Sequence, residues 1–209
     1  MADRRILVNL SGGLDSAHTA WKLLAEGHPL VLHHCELTSP EGRTAAELDA
    51  VARILGWLQD QGLDRFEVVR TAFDYGTLQT VIYDVELVGF LTGVVLRDRR
   101  FRSLSTVAVS ATIDDATVRS VREPRGVIRR QVAETVARRE LDWLWPIAHY
   151  DRAELVAATP RDLLELVWWC RRPDDGRACH RCLTCRQMDA LDQGDGVAST
   201  EAPTARSAR

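Results

Sequence analysis

A short apolar run, Arg5–Leu10 (RILVNL), breaks at Ser11-Gly12-Gly13, and helical periodicity follows at once over Asp15–Glu26. A strand that turns directly into a helix through two glycines is half of a βαβ unit, and it commits the chain to a parallel sheet covered by helices. The same alternation continues. Pro29–Leu37 (PLVLHHCEL) reads as a second strand, and Thr44–Gln61 as an amphipathic helix with Leu48, Val51, Ala52, Leu55 and Leu58 on one face. Phe66–Thr71 reads as strand three, Leu78–Leu96 as a mostly apolar helix, Ser105–Thr112 as strand four and Arg119–Arg139 as an Arg-rich helix. The expected fold class is therefore α/β, a doubly wound and mostly parallel sheet. From Leu141 the character changes: four tryptophans surround a helical stretch, Asp151–Trp169, and cysteines follow it. The expected division is 1–140 for the α/β domain, 141–192 for a helical, cysteine-bearing extension and 193–209 for a disordered tail without large apolar residues.

With 45% hydrophobic and 27% charged residues the chain is neither low-complexity nor disordered in composition. Its formal charge of −3 supplies no field that would draw it onto nucleic acid. No run reaches the ~18 apolar residues of a membrane span, and the first ten residues hold too short an apolar stretch for a signal peptide. A cytoplasmic protein is expected.

Leu10-Ser-Gly-Gly-Leu-Asp-Ser16 sits where a doubly wound sheet presents ligands. The glycines let backbone approach an anion, Ser11 and Ser16 add hydroxyls, and the free N–H groups of the helix start point at whatever binds. The loop lacks both the Gly-Lys-Ser/Thr of a Walker loop and the G-x-G-x-x-G spacing of a dinucleotide fold. A second cluster lies near the other end: Cys170-x8-Cys179-x2-Cys182-x2-Cys185 offers four thiolates with the spacing of a tetrahedral zinc site. An iron–sulfur centre could use the same four ligands. His180, next to Cys179, is an alternative ligand but reads as a bystander, and lone Cys35 reads as a small buried apolar residue.

The Ser-Gly-Gly-x-Asp-Ser loop resembles that of the PP-loop ATP pyrophosphatases, which split ATP between its α and β phosphates. The resemblance implies an adenine nucleotide alpha hydrolase-like fold and an ATP-binding set of Leu10, Ser11, Gly12, Gly13, Leu14, Asp15, Ser16 and His33, with Asn9 also lining the adenosine. Ser11, Asp15 and Ser16 are the catalytic candidates. Gripping pyrophosphate favours attack at the α phosphorus, and magnesium would neutralise the triphosphate. Asp15 and the pair Asp114-Asp115 are candidates to hold it, although the pair reads equally as an exposed helix cap.

Loop and cysteines together, in a chain of this length, resemble the 7-cyano-7-deazaguanine synthase family. Trp145-Pro-Ile-Ala-His-Tyr-Asp-Arg-Ala-Glu-Leu155 is similar to a stretch of that family, with Arg152 where lysine is usual. The resemblance implies adenylation of 7-carboxy-7-deazaguanine and amide and nitrile formation with ammonia, with a structural zinc held by Cys170, Cys179, Cys182 and Cys185 and a homodimer. His34-Cys-Glu-Leu-Thr-Ser-Pro departs from the family pattern after strand two, and His180 stands where a glycine usually follows the first cysteine of the triplet. These departures open an alternative in which the acid is joined to a protein amine in a phage-defence pathway. A tRNA-modifying enzyme and a non-enzymatic zinc-knuckle module are further alternatives. The first would lay the arginines between 97 and 130 along phosphates; the second would use the tryptophans as a recognition surface. His18 and Trp21, or Tyr75 and Tyr83, could face a nucleotide, though core packing explains each.

Overall fold

The computed structural model describes residues 5–78, 84–113 and 119–192. Five strands form one sheet: β1 (Ile6–Asn9), β2 (Leu30–Thr38), β3 (Phe66–Asp74), β4 (Thr106–Ala108) and β5 (Asp142–Leu144). Their order is β3-β2-β1-β4-β5, and every pairing is parallel. Register is set from β1, whose Ile6 lies opposite both Leu30 and Thr106. Helices α1 (Leu14–Ala25), α2 (Thr44–Asp60), α3 (Asp84–Arg97) and α4 (Arg119–Ala137) cover the sheet. Three short helices follow: α5 (Arg152–Ala158), α6 (Arg161–Leu164) and α7 (Leu183–Asp192).

Strands buried on both faces begin as continuous apolar runs instead of alternating, as Ile6–Val8 of β1 and Leu30–Leu32 of β2 do. Ile6, Val8, Leu30 and Leu32 point to a core shared with Leu23, Val51, Ile54, Leu58, Leu155 and Leu163. Leu7, Val31 and Val107 point the opposite way, to Val95, Leu96, Phe101, Leu104 and Ala133. Each fully buried leucine contributes roughly 1.5–3 kcal/mol. On the second face Gly89 and Gly93 let α3 press against α4: a Cβ on Gly93 would lie 2.7 Å from the Ala133 carbonyl.

The structure corrects several expected boundaries. Strand four ends at Ala108: the Val109 N–H makes the last bond to β5, at the Leu144 carbonyl, and the Ala111 N–H then turns back to the Val109 carbonyl. A fifth strand, too short to declare itself by period, pairs with β4 at the sheet edge, just beyond residue 140. The stretch expected as one helix over Asp151–Trp169 divides at Thr159-Pro160, because proline disfavours helical backbone in the residue before it. Asp114, Asp115, Tyr83 and the tail 193–209 lie outside the described residues. Among the described residues no helix is long and apolar enough to cross a membrane.

Candidate functional site

The loop 10–13 leaves the carboxyl end of β1, beside which β2 lies on one side and β4 on the other, and α1 begins at Leu14. Ligands collect at this end of an open parallel sheet. Two bonds tie the loop's root to β2: the Leu10 N–H donates to the His33 carbonyl at 2.9 Å, and His34 Nδ1–H donates to the Leu10 carbonyl at 2.8 Å. Within the loop, Ser16 Oγ donates to the Gly13 carbonyl at 3.0 Å and accepts from the Ser11 N–H at 3.1 Å. The Ser11 and Ser16 hydroxyls lie 3.1 Å apart. Gly12 has φ of +86°, and a Cβ there would lie 3.0 Å from the Glu47 carbonyl. Only glycine meets both demands.

A cavity of about 310 Å³ opens beside this loop. Ser11, Gly13, Asp15, Ser16, Asn9 and His33 all line it, as do Leu10 and Leu14. Of the sequence-predicted binding set only Gly12 stands behind the lining, where its carbonyl accepts from the Trp168 N–H at 2.8 Å. His33 is fully buried and stays neutral, burial pushing its imidazole down to about 4. Its Nδ1–H donates to Asn9 Oδ1 at 2.9 Å and its Nε2 accepts from Thr71 at 2.8 Å. Asn9 Oδ1 also accepts from Thr92, and its buried Nδ2 has no partner among the described residues. Cys35, expected in the core, is half-buried and lines the cavity; burial pushes its thiol up to about 11, so it stays protonated.

His18 and Trp21 do not line this cavity. They border a separate one of about 260 Å³ with Tyr150, where His18 Nδ1 meets Thr159 Oγ1 at 2.8 Å. Tyr75 packs among Leu37, Leu87 and Leu91, as core.

Apart from Cys170, selected as a metal ligand, the remaining walls come from residues that the sequence reading did not select as a site. Arg152 forms a two-pronged ion pair with Asp15, its second prong at 3.3 Å. It is the first residue of α5, whose start is fixed by a capping box between Asp151 and Glu154. Arg43 and Glu47, one turn apart at the start of α2, face Asp84 at the start of α3. Their i, i+4 spacing was the only signal for them. Trp168, Cys170 and Arg171 complete the lining from the C-terminal extension.

Cys170, Cys179, Cys182 and Cys185 present sulfurs within 4.8 Å of one another. A tetrahedron of thiolates about 2.3 Å from one ion has edges of about 3.8 Å, so the set fits a single ion. An iron–sulfur cluster distributes its thiolates over several irons and needs them wider apart. Backbone N–H groups of Cys179, Cys182 and Cys185 point at the sulfurs of Cys170, Cys179 and Cys182, at 3.3, 3.3 and 3.5 Å. Such donors favour thiolate; with the Arg181 N–H first among them, they lower Cys179 to about 6. His180 carries φ of +51° and turns its ring to Asp189 at 3.0 Å, away from the sulfurs.

No family model and no curated protein matches the chain. Among solved structures it is similar to NMN synthetase from Francisella tularensis, with a TM-score of 0.53 at 13% identity over 95% of this chain and 80% of that one. The fold is adenine nucleotide alpha hydrolase-like. Two looser matches are also found. One is a predicted subunit of tRNA methyltransferase from Methanocaldococcus jannaschii, with a TM-score of 0.43, 16% identity and coverage of 74% of this chain and 73% of that one. Another is a universal stress protein in complex with cAMP, with a TM-score of 0.36, 16% identity and coverage of 72% and 100%.

Proposed function

We propose that this chain is an ATP-dependent ligase that adenylates a carboxylate and passes the acyl group to nitrogen. The observation that carries the reading is the loop Ser11–Ser16, folded around its own hydroxyls at the end of β1 and opening onto a cavity large enough for a nucleotide's reacting end. In this reading the loop's N–H groups and the start of α1 hold the departing pyrophosphate. Asn9 and His33 line the adenosine, and Asp15, steadied by Arg152, lies beside the phosphates. The substrate carboxylate attacks the α phosphorus, pyrophosphate leaves, and a nitrogen nucleophile displaces AMP. The Ser-Gly-Gly-Leu-Asp-Ser and cysteine motifs favour 7-carboxy-7-deazaguanine as the acid and ammonia as the nucleophile.

The four cysteines would hold zinc, which supplies structural cross-linking of the extension and no chemistry on the substrate. Magnesium would arrive with ATP and neutralise the triphosphate.

Zinc-replete protein is incubated with MgATP, 7-carboxy-7-deazaguanine and ammonium, and the products are weighed by mass spectrometry. AMP, pyrophosphate and the amide or nitrile are expected. AMP with a mass gain on a co-expressed protein would replace ammonia by a protein amine. Absence of AMP under all these conditions would overturn the reading.

A further inference from the structure

One wall of the cavity has no part in holding phosphates. Arg43, 5% exposed along its side chain, divides its guanidinium among Glu41 (3.1 Å), Glu47 (3.4 Å) and Asp84 (2.7 Å). Arg171 reaches across from the cysteine extension to Asp84 at 3.2 Å and Glu41 at 3.8 Å. With Glu47 ionised, three carboxylates against two guanidiniums leave one negative charge, in a place that a triphosphate would avoid and a cation would seek. Glu47 has the longest of the three Arg43 contacts, and Asp84 Oδ1 is buried without a hydrogen-bond partner among the described residues. Both carboxylates line the cavity. Glu47 is also fixed relative to the phosphate loop, since its own carbonyl backs onto Gly12.

Resting on the ligase reading above, we propose that this wall admits the nitrogen nucleophile as its cation, ammonium or a primary amine, and that Glu47 is the base that removes its proton. The ionised Glu47 carboxylate takes one proton from the nitrogen. The freed lone pair then attacks the acyl carbon of the adenylate and forms the C–N bond. The bond between that carbon and the phosphate oxygen breaks, and AMP departs with the electron pair. A second proton leaves the new nitrogen for water as the adduct collapses. Burial raises the Glu47 carboxyl to about 7, against the lowering by Arg43 and Arg171 and with Asp84 and Glu41 adding to the rise. A base poised there exchanges protons at neutral pH, as efficient proton transfer requires.

The test separates the two half-reactions. ATP–pyrophosphate exchange reports adenylation without a nucleophile, and mass spectrometry reports the amide. In Glu47→Gln, exchange is expected within about threefold of the parent, while amide formation from ammonium falls about 100-fold or more, the usual contribution of a general base. Hydroxylamine, neutral at pH 7, should restore acyl transfer to within about tenfold. The acid limb of the pH–rate profile should disappear in this variant and persist in Glu47→Asp, which keeps the charge on a shorter arm. Amide formation by Glu47→Gln at the parental rate would overturn the inference, as would equal loss of exchange and transfer without rescue by hydroxylamine in both variants. A parent chain with no acid-dependent exchange would overturn the ligase reading itself.

Discussion

Two neighbouring glycines in the phosphate loop carry different burdens. Gly12 combines φ of +86° with a Cβ position 3.0 Å from backbone and 3.2 Å from Ala50 Cβ, whereas a Cβ on Gly13 would meet nothing closer than 3.5 Å. Gly12→Ala is therefore expected to cost about 1–3 kcal/mol and to abolish nucleotide binding, with Gly13→Ala costing less than about 1 kcal/mol. Thermal melts and a nucleotide titration of the two variants check this. His33 sets a pH limit. Its folded-state value of about 4 lies below the ordinary 6.5, so its contribution is present above pH 6.5 and is lost as pH falls toward 4. That shift corresponds to about 3 kcal/mol, and urea titrations across pH 4–7 should be flatter in His33→Gln. The loop residues were legible because glycine and serine at a strand–helix junction have few other uses. Arg43 and Glu47 were not, because in a sequence they look like any surface i, i+4 pair, and only the fold brings Asp84 opposite them.

At the level of elements, the α3–α4 seam is the tightest contact described. Gly93→Ala would drive a methyl to 2.7 Å from the Ala133 carbonyl and 2.6 Å from Val136 Cβ. Overpacking of this kind costs about 1–3 kcal/mol, more than the roughly 1 kcal/mol that alanine gains over glycine in helix propensity, so a lower melting temperature is expected. The α5 capping box makes a different prediction. Asp151→Ala should lower stability by about 1 kcal/mol and, by loosening the turn that aims Arg152 at Asp15, weaken nucleotide binding as well. Long amphipathic helices such as α2 were readable from period alone. Strand β5 was not, since three residues carry no period and its pairing with β4 depends on contacts made across the chain. The division of Asp151–Trp169 was written in Pro160, whose effect on the preceding residue outweighs a favourable helical pattern.

For the molecule as a whole, the cysteine extension and the phosphate loop are one construction. Trp168 N–H grips the Gly12 carbonyl at 2.8 Å, its indole N–H reaches the Cys170 carbonyl at 2.8 Å, and Cys170 is one of the four clustered cysteines. Stripping the metal with a chelator should therefore lower nucleotide affinity and change tryptophan fluorescence together, and readdition of zinc should restore both. Nucleotide affinity untouched by metal removal would separate the two ends. The sequence located each end; the bond that joins them lies between backbone atoms and leaves no trace in residue identity. Chain order gives this bond a temporal meaning. A ribosome delivers the loop about 150 residues ahead of its wall, so a nascent chain carries the loop motif long before it has a pocket to put it in. Fragments truncated ahead of Trp168 should fail to bind nucleotide, and competence would begin only once the Trp168–Arg171 wall has been added.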